Sequence, residues 1–514
     1  MDARPALVMR LRDDLAAANF TVTRLDELWG PDAAAALGRG HRVPAVRALD
    51  LRVGFDPAAV LGRLFVLGMP ASVADAARAL PSVDLEGAVE LGLLRFGDVD
   101  VEPRIDLRPY AFTDTWGEAG WWIASDLGEL ALGGALPEDH VLGVGGASLT
   151  LAGLQVERSS ALALDLGTGC GIQALHASRH AGRVVATDIS QRALDYASFN
   201  AALNGIGNIE FRLGNMFEPV AGERFDYIVT NPPFVITPRV EGVPEYEYRD
   251  GGRIGDAIVA EVVAGAAEHL RPGGIAQFLG NWEYRTAPNG SGQDGLERIA
   301  SWIADVALDG WVIEREVQDA ALYAETWIRD GGTRAGAESD RLEAAWLDDF
   351  EARGVTGVGF GYVVLRSRQA RPESRGEPLQ RIERLDGPVG TGLGARISAT
   401  LDAYDWQASR DDEAFAREML IVAPDVTEER HYWPGDEHPA VMNLRQGGGF
   451  ARTYPLGTAL AAIVGACDGE LSVAAICAAV SELLEVDEAE LRAEVLPSLR
   501  EFVTVGVLAS PDLT

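Results

Sequence analysis

Along the chain the spacing of apolar positions changes twice. In residues 6–18, Leu7, Val8, Leu11 and Leu15 recur at helical intervals, and helices are predicted again over 58–67, 73–80 and 85–91. Ser72 stands where an N-cap would precede the helix over 73–80. Leu93-Leu94-Arg95-Phe96, the turn Gly97-Asp98 and the run 99–107 then read as a hairpin, so three helices and a hairpin make a winged-helix pattern. Between 161 and 366 the pattern alternates. Short apolar runs at 161–166, 184–188, 209–213, 225–230, 275–279, 311–317 and 358–366 are separated by helical stretches at 172–179, 191–204, 256–270, 295–306 and 338–351. Alternation of this kind predicts an α/β fold, a doubly wound and mostly parallel seven-stranded Rossmann-like sheet with helices on both faces. Beyond 375 a polar, aromatic-bearing stretch over 401–451 gives way to helical patterns at 456–466, 473–484 and 491–505. Ser472-Val473 and Val505-Gly506-Val507-Leu508 repeat the order of Ser72-Val73 and Leu91-Gly92-Leu93-Leu94. A smaller helical, winged-helix-like domain is therefore expected at each end, over 1–104 and 369–514, flanking a central domain over 151–368. An aromatic bridge and lid segment over 105–150 joins the first two.

Candidate chemistry gathers where the strands end. The first strand of the alternating region, 161–166, passes through Gly167-Thr168-Gly169-Cys170-Gly171 into a helix, and glycines at alternate positions let a backbone turn sharply with a ligand lying against it. The next strand ends in Asp188, a carboxylate placed to accept both hydroxyls of a ribose. Gly214-Asn215-Met216 closes the third strand, where Asn215 offers an acceptor and a donor to an adenine and Met216 or Phe217 could cover its ring. The fourth strand runs into Asn231-Pro232-Pro233-Phe234. In isolation that tetrapeptide is a turn after a strand. Behind a glycine loop and a strand-terminal acid at these distances, it reads as part of a site.

With these residues in place, and with Val235-Ile236-Thr237-Pro238, Gly251-Gly252-Arg253-Ile254-Gly255-Asp256 and Leu270-Arg271-Pro272-Gly273-Gly274 following, the chain resembles the class I S-adenosylmethionine-dependent methyltransferases that carry an (Asn/Asp)-Pro-Pro-aromatic motif. Within them it is most similar to the HemK family, which methylates a glutamine amide in translation release factors. The resemblance covers roughly residues 141–280. It departs at Phe234, where the release-factor enzymes carry Tyr and nucleobase-modifying relatives accept Phe.

The resemblance implies S-adenosyl-L-methionine as cofactor, held by Asp165, Gly167, Thr168, Gly169, Gly171, Asp188, Ile189, Asn215, Met216 and Asn231, with the small residues over 141–149 folding across its methionine end. Asn231, Pro232 and Phe234 are the catalytic candidates. An amide or base NH₂ has its lone pair delocalised. The Asn231 side-chain oxygen and the Pro232 carbonyl would orient it and favour the charge that develops on nitrogen, while Phe234 would offer a flat apolar face. The expected acceptor is a protein glutamine in a translation factor or ribosomal protein. The alternatives are an amino group of a structured RNA, rRNA or tRNA, and a scaffold without activity.

Composition narrows this further. At 514 residues, 47% hydrophobic and 24% charged, the chain is globular and longer than one ordinary domain. No apolar run is long enough to cross a membrane, the first residues show no signal-peptide pattern, and a cytoplasmic location is expected. Cys170, Cys467 and Cys477 have no disulfide or zinc-ligand spacing, His431 and His438 lack partner ligands, and no metal is expected. All 44 basic residues are arginine, which excludes a catalytic lysine. The net charge of −34 works against a broad nucleic-acid footprint. A strip of Arg366, Arg368, Arg371, Arg375, Arg381 and Arg384 is the one candidate RNA contact, against its simpler reading as a solvated linker.

Overall fold

The computed structural model describes residues 5–134, 136–244, 246, 249–286, 292–368, 378–387, 389–390 and 392–511. The chain divides into two compact units, Met1–Ala152 with Ser159–Ser367, and Gly153–Arg158 with Arg368–Thr514.

The first unit begins with helices Pro5–Ala17, Val22–Gly38 and Val43–Asp50. Only the first of these was expected. Gly30, with φ 78°, and Pro31 kink the second in its middle, and an interrupted apolar stripe hides a helix from a periodicity argument. Pro57–Leu61 continues as a π-turn to Val66, and strand β1 (Ala71–Ser72) leads into helix Val73–Ala79. The Ser72 hydroxyl caps that helix, accepting from the Asp75 N–H at 3.1 Å. Helix Asp84–Glu90 ends at Gly92, φ 76°, where the Leu93 N–H reaches back to the Ala88 carbonyl at 2.9 Å. Strands β2 (Leu94–Phe96) and β3 (Asp100–Pro103) follow, giving a small sheet in the order β1-β3-β2. Next comes a long hairpin, β4 (Ile105–Asp114) and β5 (Gly117–Asp126), with Tyr110 opposite Trp121. Trp121 is buried, and the Trp122 indole N–H donates to the Phe20 carbonyl at 2.7 Å.

The alternating region forms the expected sheet from β6 (Ser160–Leu166), β7 (Ala181–Asp188), β8 (Ile209–Leu213), β9 (Phe225–Thr230), β10 (Leu270–Thr286), β12 (Asp309–Asp319) and β13 (Val355–Arg366). The two-residue strand β11 (Gly292–Gln293) pairs with the end of β10. The long strands lie in the order β12-β13-β10-β9-β6-β7-β8, and β13 alone runs antiparallel to its neighbours. The chain leaves β6 toward β7 on one side and returns as β9 on the other. That reversal opens a crevice at the carboxyl ends of the parallel strands. Helices Ala320–Asp330 and Ala337–Arg353 are inserted between β12 and β13, where Tyr323, Trp346 and Phe350 pack with Val235, Ile236 and Val358.

The second unit holds helices Leu393–Ala408, Thr458–Gly465, Val473–Leu484 and Glu488–Thr504 over a core of Phe415, Ile463, Ile476, Cys477, Leu499 and Phe502. The two echoes seen in the sequence carry the same local devices in both units. The Ser472 hydroxyl caps helix Val473–Leu484 at the Ala475 N–H, and after Gly506, φ 75°, the Val507 N–H returns to the Phe502 carbonyl at 2.8 Å. The small sheet here has the strand before the cap, Asp468–Ser472, and the strand after the turn, Leu508–Ala509, on either side of Met419–Val422.

Two members of the arginine strip are engaged within their own units. Arg366 is buried against Asp309 at 2.7 Å, and Arg381 pairs with Glu383 at 2.9 Å and Glu501 at 2.8 Å. Guanidinium groups so engaged are not offered to phosphates. Arg371 and Arg375 lie outside the described residues.

Candidate active site

The crevice is a cavity of about 400 Å³. Its floor is the glycine loop. Gly167, Gly169 and Gly171 all take positive φ, 70°, 56° and 90°. A Cβ at Gly167 or Gly169 would meet no atom within 4 Å, so the space beyond them is open, whereas at Gly171 it would press on Ala197 at 3.0 Å. The first two glycines keep room for a ligand; the third lets a helix pass close behind the loop.

Asp165 shapes this loop from beneath and does not line the cavity. It is fully buried, and one carboxylate oxygen accepts the Thr168 hydroxyl at 2.6 Å and the Ala174 N–H at 2.8 Å. Its other oxygen has no hydrogen-bond partner among the described residues. Burial pushes its carboxyl up to about 7. Asp188 lines the cavity and ties two turns together, accepting the Gly169 N–H on one oxygen and the Ser190 N–H on the other, both at 2.9 Å. Thr168, Ile189, Asn215 and Met216 line the same cavity. Met216 takes φ 44°, a conformation that side chains rarely adopt. Phe217 points elsewhere, its ring stacked on His269 at 4.7 Å. Cys170 is buried and its thiol is pushed up to about 11, so it is no nucleophile at neutral pH.

On the opposite side lie Asn231, Pro232 and Pro233. Among the described residues the buried Asn231 Oδ1 accepts no hydrogen bond, and the Pro232 carbonyl accepts none either. The rest of the loop is pinned. The Pro233 carbonyl accepts the Gly251 N–H at 3.0 Å, the Val235 N–H donates to Arg249 at 3.0 Å, and the Ile236 N–H donates to the Tyr323 hydroxyl at 3.0 Å. Phe234 is not among the residues lining the cavity; its ring lies edge-on to Trp327 at 6.4 Å, in the cluster with Val235 and Ile236.

Sequence reasoning did not single out Asp250, Asp139, His140 or Gln173, all of which line the cavity. Asp250 accepts the Thr237 hydroxyl and the Tyr246 N–H, fastening the loop that faces Asn231. Its place directly before Gly251-Gly252 was the available signal. Gln173 donates to the Ser148 carbonyl at 2.8 Å and so fixes the lid helix Gly146–Leu154 to the glycine loop's own helix. Burial holds His140 below its ordinary value, so it is neutral near pH 7. Among the described residues no group of three His, Cys, Asp or Glu side chains is placed to hold a metal ion.

Residues 145–288 match the family model described as methyltransferase small domain, and residues 17–104 match one described as a domain of unknown function. The release factor glutamine methyltransferase of Xylella fastidiosa is 41% identical over 132 residues, covering 24% of this chain and 48% of that protein. The ribosomal protein uL3 glutamine methyltransferase of Bradyrhizobium diazoefficiens is 36% identical over 121 residues, covering 22% of this chain and 38% of that one. The chain thus spans about half the length, or less, of these relatives. A solved S-adenosylmethionine-dependent methyltransferase from Thiobacillus denitrificans, in complex with S-adenosyl-L-homocysteine, is 17% identical over 43% of this chain and 90% of that one, with a TM-score of 0.25, a likeness too slight to add to the topology. The resemblance to S-adenosylmethionine-dependent methyltransferases of the release factor glutamine methyltransferase family is borne out over the central segment of the chain.

Proposed function

We propose that the protein transfers a methyl group from S-adenosyl-L-methionine to the side-chain nitrogen of a protein glutamine. One observation carries this reading. Asn231 presents a buried, unpartnered oxygen at the wall of a cavity whose floor is a glycine loop. A buried acceptor without a donor costs about 1–3 kcal/mol, and an incoming NH₂ would relieve that cost. The residues fit the cofactor. Open space over Gly167 and Gly169 accommodates its chain, Asp188 stands at the strand end suited to a ribose, and Asn215 and Met216 stand where an adenine would lie. When bound, this group supplies a methyl already activated on a sulfonium.

The protein's own task is placement. The Asn231 oxygen and the Pro232 carbonyl hold the two N–H bonds of the acceptor, which fixes the direction of its lone pair and favours positive charge on nitrogen. Pro232 and Pro233 stiffen the loop, Gly251, Arg249 and Tyr323 anchor it, and Phe234 braces it from outside the cavity. A protein acceptor is supported by the names of the relatives and by the fate of Arg366 and Arg381, which bind carboxylates within the chain. Incubation with methyl-labelled donor and a cell extract tests the proposal. Label removed by protease and released as N5-methylglutamine is the expected outcome; label removed by ribonuclease would overturn the glutamine assignment.

A further inference from the structure

Strand β5 has one edge paired to β4, while the other faces helix Gln191–Leu203 and the residue that follows it. Side chains supply what a neighbouring strand would. Asn204 takes the Trp122 N–H at 2.9 Å and donates to the Trp122 carbonyl at 2.8 Å; one helical turn earlier, Asn200 takes the Ala124 N–H at 2.8 Å and donates to the Ala124 carbonyl at 2.9 Å. A carboxamide carries the same acceptor and donor as a peptide group. The spacings agree, because two residues of strand advance about 6.8 Å and four residues of helix about 6 Å. One turn earlier again, the Tyr196 hydroxyl donates to Asp126 at 2.8 Å, and Arg192 joins it on the same carboxylate.

Two of these rungs reach the cavity. The second Asn200 N–H donates to the carbonyl of Cys170, inside the glycine loop, at 2.8 Å, and Asn200 is fully buried. Asp126 accepts the Val141 N–H at 2.8 Å on its side chain, and its own N–H donates to the Val141 carbonyl at 3.1 Å. Val141 and its neighbours His140 and Leu142 line the cavity. Floor and lid of the cavity are therefore both tied to one strand that lies outside the catalytic sheet.

We propose that Asn200 and Asp126 are positioning residues for the methyl donor, and that hairpin β4–β5, which does not itself line the cavity, is the support behind its floor and lid, coupling donor binding to the order of the N-terminal segment. This rests on the donor reading above. Coupling of this kind is reciprocal. Whatever loosens the strand weakens the donor, and the donor stiffens the strand.

Calorimetric titration of the full chain with S-adenosylhomocysteine, together with backbone hydrogen exchange, tests it. Asn200→Ala is expected to weaken binding tenfold or more and to raise the donor's KM more than it lowers kcat. Asn204→Ala, whose rung does not reach the glycine loop, is expected to weaken binding less than threefold. In the unsubstituted protein the amides of Trp122, Ala124 and Asp126 are expected to exchange more slowly when S-adenosylhomocysteine is added. Unchanged affinity in an Asn200→Ala protein of normal thermal midpoint overturns the proposal. If that variant does not fold, exchange in the unsubstituted chain decides, and amides indifferent to the ligand overturn it. Failure of the unsubstituted protein to bind S-adenosylhomocysteine removes the donor reading as well, whereas normal binding with an indifferent strand removes the coupling alone.

Discussion

The two sides of the cavity are built on opposite plans. On the side proposed for the donor the carboxylates are tethered to the loops they shape: Asp188 takes an N–H on each oxygen, and Asp165, which does not line the cavity, holds Thr168 and Ala174 through one oxygen. On the acceptor side the backbone is tethered, at Pro233, Val235 and Ile236, while the one polar side chain facing the cavity from that loop, Asn231, is left without a partner for its oxygen. The donor side is a mould finished before any ligand arrives. On the reading proposed above, the acceptor side is a rigid mount that offers an incoming NH₂ an oxygen that no described residue engages. Preorganised groups of this kind favour a transition state because they need no rearrangement when charge appears.

Substitutions can break the contrast, beginning with the largest expected effect. Gly169→Val places a branched side chain into the open space above the loop and forces it into φ 56°, so donor binding by calorimetry is expected to vanish while the sheet, followed by circular dichroism, stays folded. Retained binding would mean that the donor lies elsewhere. Asn231→Ala should leave donor affinity near that of the unsubstituted protein and lower turnover about a hundredfold or more. Loss of donor binding in that variant would merge the two sides into one. Asn231→Asp, which keeps an acceptor oxygen, is expected to retain appreciable activity in the same assay. Asp188→Ala should weaken the donor by roughly 1–3 kcal/mol, through two lost loop tethers and the lost ribose contact.

A further effect concerns Asp165 and sharpens the contrast through pH. Its folded-state value lies near 7, above the 3.8 of an ordinary aspartate, so the unfolded chain gives up its proton first as pH rises. Its contribution to stability is therefore present below about pH 4 and lost progressively as pH rises to about 7. Chemical denaturation of Asp165→Asn beside the unsubstituted protein should show the difference between them moving in the variant's favour across that window, and no further movement above it. A constant difference would mean that Asp165 is not protonated in the folded state.

Much of the donor side could be read from the sequence because its chemistry is local. A strand, three alternating glycines and a strand-terminal acid are adjacent in the chain and need no partner to be recognised. Asn231 was legible for the same reason. Phe234 shows where such reading stops: its ring is turned toward Trp327 by helix Ala320–Asp330, an element that sequence periodicity did not reveal and that lies 86 residues onward. Asp139 and His140 reach the cavity by a loop path that no spacing rule encodes. Asn200 sits in a helix correctly anticipated and Asn204 caps its end, yet their partner is an edge strand whose register only the folded chain defines.

The small three-stranded sheets of the two units differ in a way that has a practical consequence. In the first, the central strand β3 follows the helices, so everything the sheet needs lies in one uninterrupted stretch from Ala71 to Pro103. In the second, the central strand Met419–Val422 precedes helix Thr458–Gly465, and the strands on either side of it, Asp468–Ser472 and Leu508–Ala509, do not touch each other. Scissors applied at the helix boundary would spare one module and unpick the other. A fragment beginning at Thr458 keeps all three helices of the repeat but loses the strand that joins their sheet, so a soluble excised module must start upstream of Met419.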